Sequence, residues 1–451
     1  MKRWMVVGFA SALMLLSFAV AVAAEAEGED EGTTFKWFGG VRFRPEYNDN
    51  LADVFSGQDD KIGYASYRVN FGFNVDLDKG VSVLVDAQAV GTWGESETFV
   101  RGDQTFDTNW EKYGIYRAYV EAKDVFDSSV TLRAGRQPIV IADEWLLGDL
   151  DFYGGTSWDG IRADIAGKHG TYNLFWAKGA EHDNWLYYYG PPDESGDFDL
   201  YGAWGAWKLT ERQTLEAGII YWFDHRSISG IPDGDGSVEY IDSPYRDKRF
   251  TYALHYSFAG EKGPFVKGNV AIQRGAIYDD VDIDAEAFEL TGGWVWQPKG
   301  KDNKLWARAA SYSGDDAGTS EAEAFNPLAM DFHGRYGLLD FWNGFWGFQT
   351  FLGGDPGLQV FQVGFDSDTI SNMKVGMYAQ TLRTAEHVSP DFHLRDLGQE
   401  FGIWATYDYG KNLSLTLGVA QLFPGSAFTG IPPFFGQSSV RRIYVNSVAR
   451  F

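Results

Sequence analysis

Arginine residues recur at alternate positions in short polar–apolar segments of this sequence, and consecutive side chains of a β-strand point to opposite faces. Arg42 and Arg44 share one face of a segment whose other face carries Trp37 and Phe43. A planar guanidinium binds a carboxylate through two parallel hydrogen bonds, so a row of arginines offers successive weak sites for an organic anion. The arginines that alternation places on such a polar face are Arg42, Arg44, Arg68, Arg117, Arg133, Arg162, Arg308 and Arg442.

Carboxylates on the same polar faces leave two interpretations of these arginines open. Glu46, Asp86, Glu121 and Glu289 alternate in step with the arginines. The arginines either contact a passing anion or only brace the wall through ion pairs. A cluster contributed by neighbouring segments predicts a basic stripe: Arg42, Arg44, Arg68, Arg117 and Arg133.

A long connection at about 315–357 is unusually apolar for a segment in water. It contains Phe325-Asn326-Pro327-Leu328 and Phe341-Trp342-Asn343-Gly344-Phe345-Trp346. Exposed apolar patches of this size are rare, so the segment should pack against something. One hypothesis is that it folds inward and narrows an enclosed space, with His333 and Arg335 near the constriction. The alternative is packing over a rim or against a neighbouring loop.

Residues for catalysis and metal binding are sparse. The chain has seven His and no Cys, which excludes thiol chemistry and disulfides. His255 is predicted to point inward, but spacing assigns it no Ser or carboxylate partner, and His387 and His393 lie six residues apart without other ligands. We expect no enzyme, no metal site and no cofactor. The acidic loops, such as 49–60 and 279–286, either bind Ca²⁺ or Mg²⁺ loosely or only solvate the surface.

The elements that must position these residues are about eighteen strands with period-two alternation, each near the length of a tilted membrane strand. Imperfect alternation at 172–180 and 358–366 leaves sixteen strands open. The predicted strands are 35–47, 64–76, 81–93, 113–122, 130–139, 158–166, 172–180, 201–209, 214–223, 248–258, 265–275, 287–296, 304–314, 358–366, 373–382, 399–409, 413–423 and 439–451.

The connections between these strands alternate in length. Odd-numbered ones are long, as at 94–112, 276–286 and 315–357, whereas even-numbered ones are short, as at 77–80 and 410–412. That parity is typical of a transmembrane antiparallel β-barrel with short periplasmic turns and long extracellular loops. The terminal strand ends on Phe451, which resembles the recognition end of outer-membrane proteins and predicts contact with the barrel-assembly machinery.

Composition supports export to an outer membrane. Met1-Lys2-Arg3, an apolar run and small residues near Ala24 predict a cleaved signal at 1–24, followed by an acidic segment at 25–34 and the barrel at 35–451. With 38 basic and 63 acidic residues the net charge is −25, which disfavours nucleic acid as a partner. Aromatic residues make up 17% of the chain, which fits a barrel with aromatic girdles at the two membrane interfaces. The alternative is a secreted, soluble β-rich protein.

Three groups of motifs resemble the alginate-export family of outer-membrane proteins. The first is Leu132-Arg133-Ala134-Gly135-Arg136-Gln137 with Trp158-Asp159-Gly160-Ile161-Arg162; the second is Phe325-Asn326-Pro327-Leu328 with His333, Tyr336-Gly337 and Asp340; the third is Gly398-Gln399-Glu400 with Asn412-Leu413-Ser414-Leu415 and Phe423-Pro424-Gly425.

This resemblance implies an eighteen-stranded barrel with an Arg-rich, anion-selective lumen that passes a uronate polysaccharide. By the motif, Arg133, Arg136, Asp159 and Arg162 become site candidates, and Asp340 joins His333 and Arg335 in the constriction loop. Arg136 departs from alternation, so the strand either bulges at Gly135 or ends there.

The sequence therefore predicts a passive outer-membrane channel for an acidic polysaccharide or small anions, surrounded by outer-membrane lipid and lipopolysaccharide. Two alternatives are a surface structural or adhesive barrel with cation-binding acidic loops, and a general porin of unknown substrate. The high external acidity fits a dedicated polyanion exit poorly, because a negative rim repels polyanions at low salt.

Overall fold

The chain forms one closed antiparallel β-barrel in a computed structural model. The residues that the structure describes are 33–50, 61–93, 112–149, 154–180, 198–224, 231–232, 238–239, 247–277, 280–316, 318–331, 333–340, 356–387, 394–429 and 439–451. The predicted signal at 1–24, nearly all of the acidic segment and the 341–346 cluster lie outside these ranges.

Eighteen strands make up the wall, which settles the choice between sixteen and eighteen. In chain order they are β1 Thr34–Asp49, β2 Lys61–Asp76, β3 Val81–Thr92, β4 Lys112–Ala122, β5 Val130–Gln137, β6 Trp158–Ala166, β7 Gly170–Ala180, β8 Phe198–Thr210, β9 Gln213–Asp224, β10 Asp247–Ala259, β11 Gly263–Ile277, β12 Val281–Trp296, β13 Asn303–Tyr312, β14 Leu358–Ser367, β15 Met373–Arg383, β16 Asp396–Tyr409, β17 Leu413–Pro424 and β18 Val440–Arg450.

Each strand pairs with its neighbours in sequence, and β18 pairs with β1 to close the sheet. Closure extends to the last residue, because Gly39 and Phe451 exchange both backbone hydrogen bonds at 3.0 Å. A closed barrel leaves no unpaired strand edge, and so satisfies the backbone of the wall within itself.

Alternation along the strands separates an interior face from an exterior face. In β10, Arg249, Thr251 and His255 are buried inside, whereas Phe250 and Tyr252 are exposed outside. The exterior of the other strands carries a similar apolar and aromatic surface. None of the described helices has the length and apolar character of a transmembrane span.

The connections follow the predicted parity, with one correction. Turns at one end of the barrel are short, such as 211–212 and 260–262, and we call this the short-turn end; the opposite end is the long-loop end. The prediction of a long connection at 276–286 is wrong. Strands β11 and β12 extend into this range and leave only residues 278–280 between them.

Minor elements decorate the connections. Single 3₁₀ turns lie at Asp78–Gly80, Val125–Asp127 and Pro298–Gly300, and the short helix α1 spans Ser426–Thr429. Ile231–Pro232 pairs with Val238–Glu239 in a separate two-stranded ribbon. The apolar core sits inside the barrel, where residues 139–147 of the β5–β6 connection and 322–339 of the β13–β14 connection, as far as the structure describes them, pack against the inner wall.

Candidate functional site

The predicted basic stripe lies on the interior face of consecutive strands. β1 places Arg42 opposite Arg68 of β2, and β5 places Arg133 opposite Arg162 of β6. Arg117 of β4 lies opposite Asp86 of β3. Because cross-strand partners share a face, the register carries the stripe from β1 around to β6.

Carboxylates pair with most of these arginines. The shortest nitrogen–oxygen distances are 2.5 Å for Arg44–Glu46, 2.7 Å for Arg117–Asp86, 2.5 Å for Arg133–Glu121 and 2.8 Å for Arg162–Asp164. The ion pairs fix each guanidinium against the wall, so bracing is part of their role.

Exposure divides the candidates into two groups. The side chains of Arg44 and Arg442 are 4% and 5% exposed, so a solute in the lumen has little access to them. Those of Arg117, Arg133 and Arg162 are 29%, 21% and 20% exposed. The second group, which Arg308 joins at 20%, is partly accessible from the interior.

A bulge in β4 turns an aromatic side chain into the stripe. The register of β3 and β4 passes from Asp86–Arg117 to Ala87–Ile115, and so leaves Tyr116 as the extra residue. Its ring centroid lies 5.1 Å from Arg68 Cζ and 5.3 Å from Arg117 Cζ. The two guanidiniums and the buried ring form one cation–π cluster.

Two loops fold into the barrel and pack on each other. Leu147 and Ala329 form a parallel backbone bridge between the β5–β6 and β13–β14 connections. The rings of Trp145 and Phe325 lie 6.1 Å apart, and Trp145 donates a 2.8 Å hydrogen bond to the hydroxyl of Tyr312 on β13. Apolar burial is therefore what holds these segments inside the barrel rather than in water.

Glu289 on the inner face of β12 anchors the β13–β14 loop. It accepts hydrogen bonds from Arg335 Nη1 at 2.9 Å and from the Tyr336 hydroxyl at 2.7 Å. Tyr336 also contacts the hydroxyl of Tyr312, and Arg308 donates to the carbonyl of Arg335. Buried and mutually bonded, these groups hold the loop in one position.

Glu400 on β16 is a second anchor. One of its carboxylate oxygens accepts from the backbone N–H groups of Leu338 and Leu339 at 3.0 and 3.3 Å, and also from the Tyr378 hydroxyl. Gly337 stands directly against this carboxylate, with φ of +106°. A side chain at residue 337 would overlap Glu400, so the loop requires glycine there.

Arg442 on β18 is the third anchor, and it explains the position of Asp340. Its Nη1 lies 3.0 Å from the Asp340 carboxylate, and its Nε donates to Asn48 at 2.7 Å. His333 Nδ1 lies 3.8 Å from the same carboxylate of Asp340. Burial favours the neutral acid, but His333, Arg442 and the Gly334 N–H hold the pKa of Asp340 below its usual value.

Acidic side chains lie on the inward loops. Asp149 accepts from the Tyr116 hydroxyl of the basic stripe at 3.5 Å, whereas Asp143 pairs with Lys267 on β11 at 2.8 Å. Burial and the charges of Asp149 and Asp331 raise the pKa of Glu144. Burial likewise raises the pKa of Asp331. The interior thus has basic residues on the β1–β6 wall and carboxylates on the facing loops.

Two of the candidates lie on the other side of the wall. Arg136 and Asp159 form an ion pair on the barrel exterior, with oxygen–nitrogen distances of 2.8 and 2.5 Å. Strand β5 neither bulges nor ends at Gly135; its register with β6 runs unbroken to Gln137. Arg136 is three residues from the inward Arg133, so alternation turns it outward. Their assignment to the lumen is wrong.

The sequence analysis gave the β5–β6 connection as a loop but did not predict that it packs inward, although the signal was present. Trp145-Leu146-Leu147 is an apolar run inside a connection, the same feature that drew attention to 315–357, and all three residues are fully buried.

Within the described ranges, no three His, Asp or Glu side chains gather as a metal site requires. His255 contacts Asn269 at 2.6 Å.

Comparison with known proteins gives one family match and several similar structures. The alginate export family model matches residues 45–341. No curated protein matches the sequence. Three Pseudomonas aeruginosa barrels superpose over 92% of this chain: OprD at 10% identity, TM-score 0.55 and 95% of its own length; OpdQ at 10%, 0.55 and 98%; and OccD3 (OpdP) at 11%, 0.52 and 91%. At these identities the likeness concerns the fold alone.

Proposed function

We propose that this chain, which belongs to the alginate export family, passes organic anions across the outer membrane between the basic stripe and the carboxylate-bearing loops. Family and fold together make it an outer-membrane channel. The short-turn end would face the periplasm and the long-loop end the outside.

The observation that carries the proposal is the placement of partly exposed arginines on one wall of the lumen. Arg117, Arg133 and Arg162 each keep a fifth or more of the side chain exposed while one edge is held by a carboxylate. A guanidinium whose charge is partly neutralised attracts an anion weakly, and transport needs sites that release what they bind.

The inward loops favour small anions, or a single extended uronate chain, over a bulky solute. Glu289, Glu400 and Arg442 tie the β13–β14 loop to three separated parts of the wall. A loop held in this way narrows the lumen permanently. Gating, if it occurs, would then belong to segments other than residues 333–340.

Planar-bilayer recording of the refolded mature chain tests the proposal. Under a KCl gradient we expect a reversal potential of the anion-selective sign, and block by added oligouronates that deepens with chain length if a polysaccharide is the substrate. Cation selectivity without uronate block would contradict it and would favour the general porin. A closed lumen would favour the adhesive barrel.

A further inference from the structure

On the described strands, outward charged residues lie at the long-loop border of the barrel and not at the short-turn border. Seven basic side chains project outward near the long-loop ends of their strands: Lys61, Arg136, Lys178, Lys248, Arg274, Arg383 and Arg441. At the short-turn border, the outward positions of the described strands are apolar or uncharged, as at Phe35, Trp207, Phe258 and Leu413.

Carboxylates alternate with these basic residues in register. Asp159 of β6 lies between Arg136 of β5 and Lys178 of β7, and Asp199 of β8 follows Lys178. On β1, Asp49 lies between Lys61 of β2 and Arg441 of β18. Arg274 of β11 pairs with Asp284 of β12 at 2.6 Å, and Asp282 and Glu286 lie on the same outer face of β12. Cross-strand charge pairs keep the basic groups against the wall instead of extending into solvent.

Aromatic residues lie directly below this charged ring on the same outer surface. Trp176 donates its indole N–H to Asp199 at 2.9 Å. The ring of Tyr221 stacks on Phe250 at 4.3 Å and lies 6.1 Å from Tyr201. Aromatic side chains of this kind mark a membrane interface, so the charged ring stands at headgroup depth.

We propose that this ring binds the phosphate groups of the phosphorylated glycolipid in the outer leaflet. Arginine and lysine at headgroup depth match phosphate in charge, and the guanidinium fork matches it in geometry. The diphosphorylated glycolipid is confined to the outer leaflet and gives that border a denser negative charge than phospholipids give the opposite border, which accounts for the lack of such residues there. The proposal gives Arg136 and Asp159 a role outside the lumen and does not depend on which solute passes inside.

The test compares thermal stability and lipid binding of the refolded full barrel with diphosphoryl lipid A, phosphatidylglycerol or detergent alone. We expect lipid A to raise the temperature at which the folded gel band is lost, with native mass spectrometry showing bound lipid A. The triple variant Arg136→Gln, Lys178→Gln, Arg274→Gln should lose both effects. A matched control, Lys262→Gln, Lys299→Gln, Lys411→Gln, removes three charges at the short-turn end and should keep them.

Several results would overturn the proposal. The first is lipid A binding that survives in the triple variant. The second is an equal loss of binding in the short-turn control. The third is a folded band that is lost at the same temperature in lipid A and in detergent alone. An equal shift with phosphatidylglycerol would assign the ring to phosphate of any lipid and would remove the glycolipid from the proposal. If the triple variant does not fold, the single variant Lys248→Gln should still bind less lipid A, and unchanged binding would count against the ring.

Discussion

At the scale of single residues, the side of the barrel wall on which an arginine lies decides whether it affects ion selectivity. Arg133 and Arg136 are three positions apart on β5, but one faces the lumen and the other the exterior. We expect Arg133→Gln to shift the anion-to-cation permeability ratio toward cations by about two- to fivefold, since a charge at about 4 Å contributes about 1 kcal/mol in water. Arg136→Gln is the matched control and should leave the reversal potential unchanged. A comparable shift in both variants would contradict this assignment of faces.

Gly337 is the residue on which the position of the inner loop depends most directly. A methyl group there would overlap the Glu400 carboxylate, and its φ of +106° disfavours any other residue. Gly337→Ala should displace the loop at a cost of about 1–3 kcal/mol and raise single-channel conductance. Gly334 also has a positive φ of +69°, but a side chain there meets open space, so Gly334→Ala controls for backbone strain alone. Equal conductance in the two variants would show that the contact with Glu400 does not set the pore.

At the scale of elements, the acids on the loops predict how pH changes selectivity. Burial raises the pKa of Glu144 and Asp331, so these acids take up protons at a higher pH than exposed carboxylates do. Lowering the pH from 7 toward 5 should therefore reduce the negative charge of the loops and increase anion selectivity. Reversal potentials measured across this range, with Glu144→Gln as the variant that loses part of the response, test the expectation. A shift toward cations would contradict it.

The stability of the β13–β14 loop should decrease at low pH, because it depends on the ionised carboxylate of Asp340. The folded-state pKa of Asp340 lies below the usual 3.8, so its ion pair with Arg442 stabilises the loop above that value. This stabilisation is lost as the pH falls through the lower folded-state pKa. Conductance should therefore become irregular well below pH 4 but not at pH 5, and Asp340→Asn should show the irregular conductance already at pH 7.

The sequence predicted the elements well wherever the period of two was clear. It failed at 276–286, where Asp282, Asp284 and Glu286 alternate outward with the inward Ile283 and Ala285. The alternation was present, but charged residues on the outer face read as a loop because the outer face was expected to be apolar. Arg136 was assigned to the lumen by the family motif, against the alternation that turns it outward. The contact of the β5–β6 loop with the β13–β14 loop, made where Leu147 bridges Ala329, could not be predicted, because it joins segments far apart in sequence.

At the scale of the whole molecule, the barrel is completed by its last residue. Phe451 continues β18 beyond Arg450, exchanges backbone hydrogen bonds with Gly39, and lays its ring over the backbone of that glycine. The contact joins the first strand to the last and closes the sheet that the other sixteen strands span. The residues paired between β1 and β18 have the longest sequence separation in the fold, so we expect this pairing to form late in folding.

A side chain at residue 39 should therefore impair closure more than one elsewhere on the outer wall. Gly39→Val would overlap the Phe451 ring and approach the carbonyl of Asn70 at 2.9 Å, so either the ring or the strand pairing must shift. At Gly63, also on the exterior, the nearest atoms would lie 3.9 Å away, so Gly63→Val is the matched control. Refolding into detergent, followed by unheated gel electrophoresis, should give less of the folded band for Gly39→Val than for Gly63→Val. Phe451→Ala combined with Gly39→Val should recover part of that yield, because it removes the ring but not the contact with Asn70. Equal yields for the two single variants would mean that barrel closure tolerates displacement of the terminal ring, and that the terminal Phe acts at an earlier step than the closed structure.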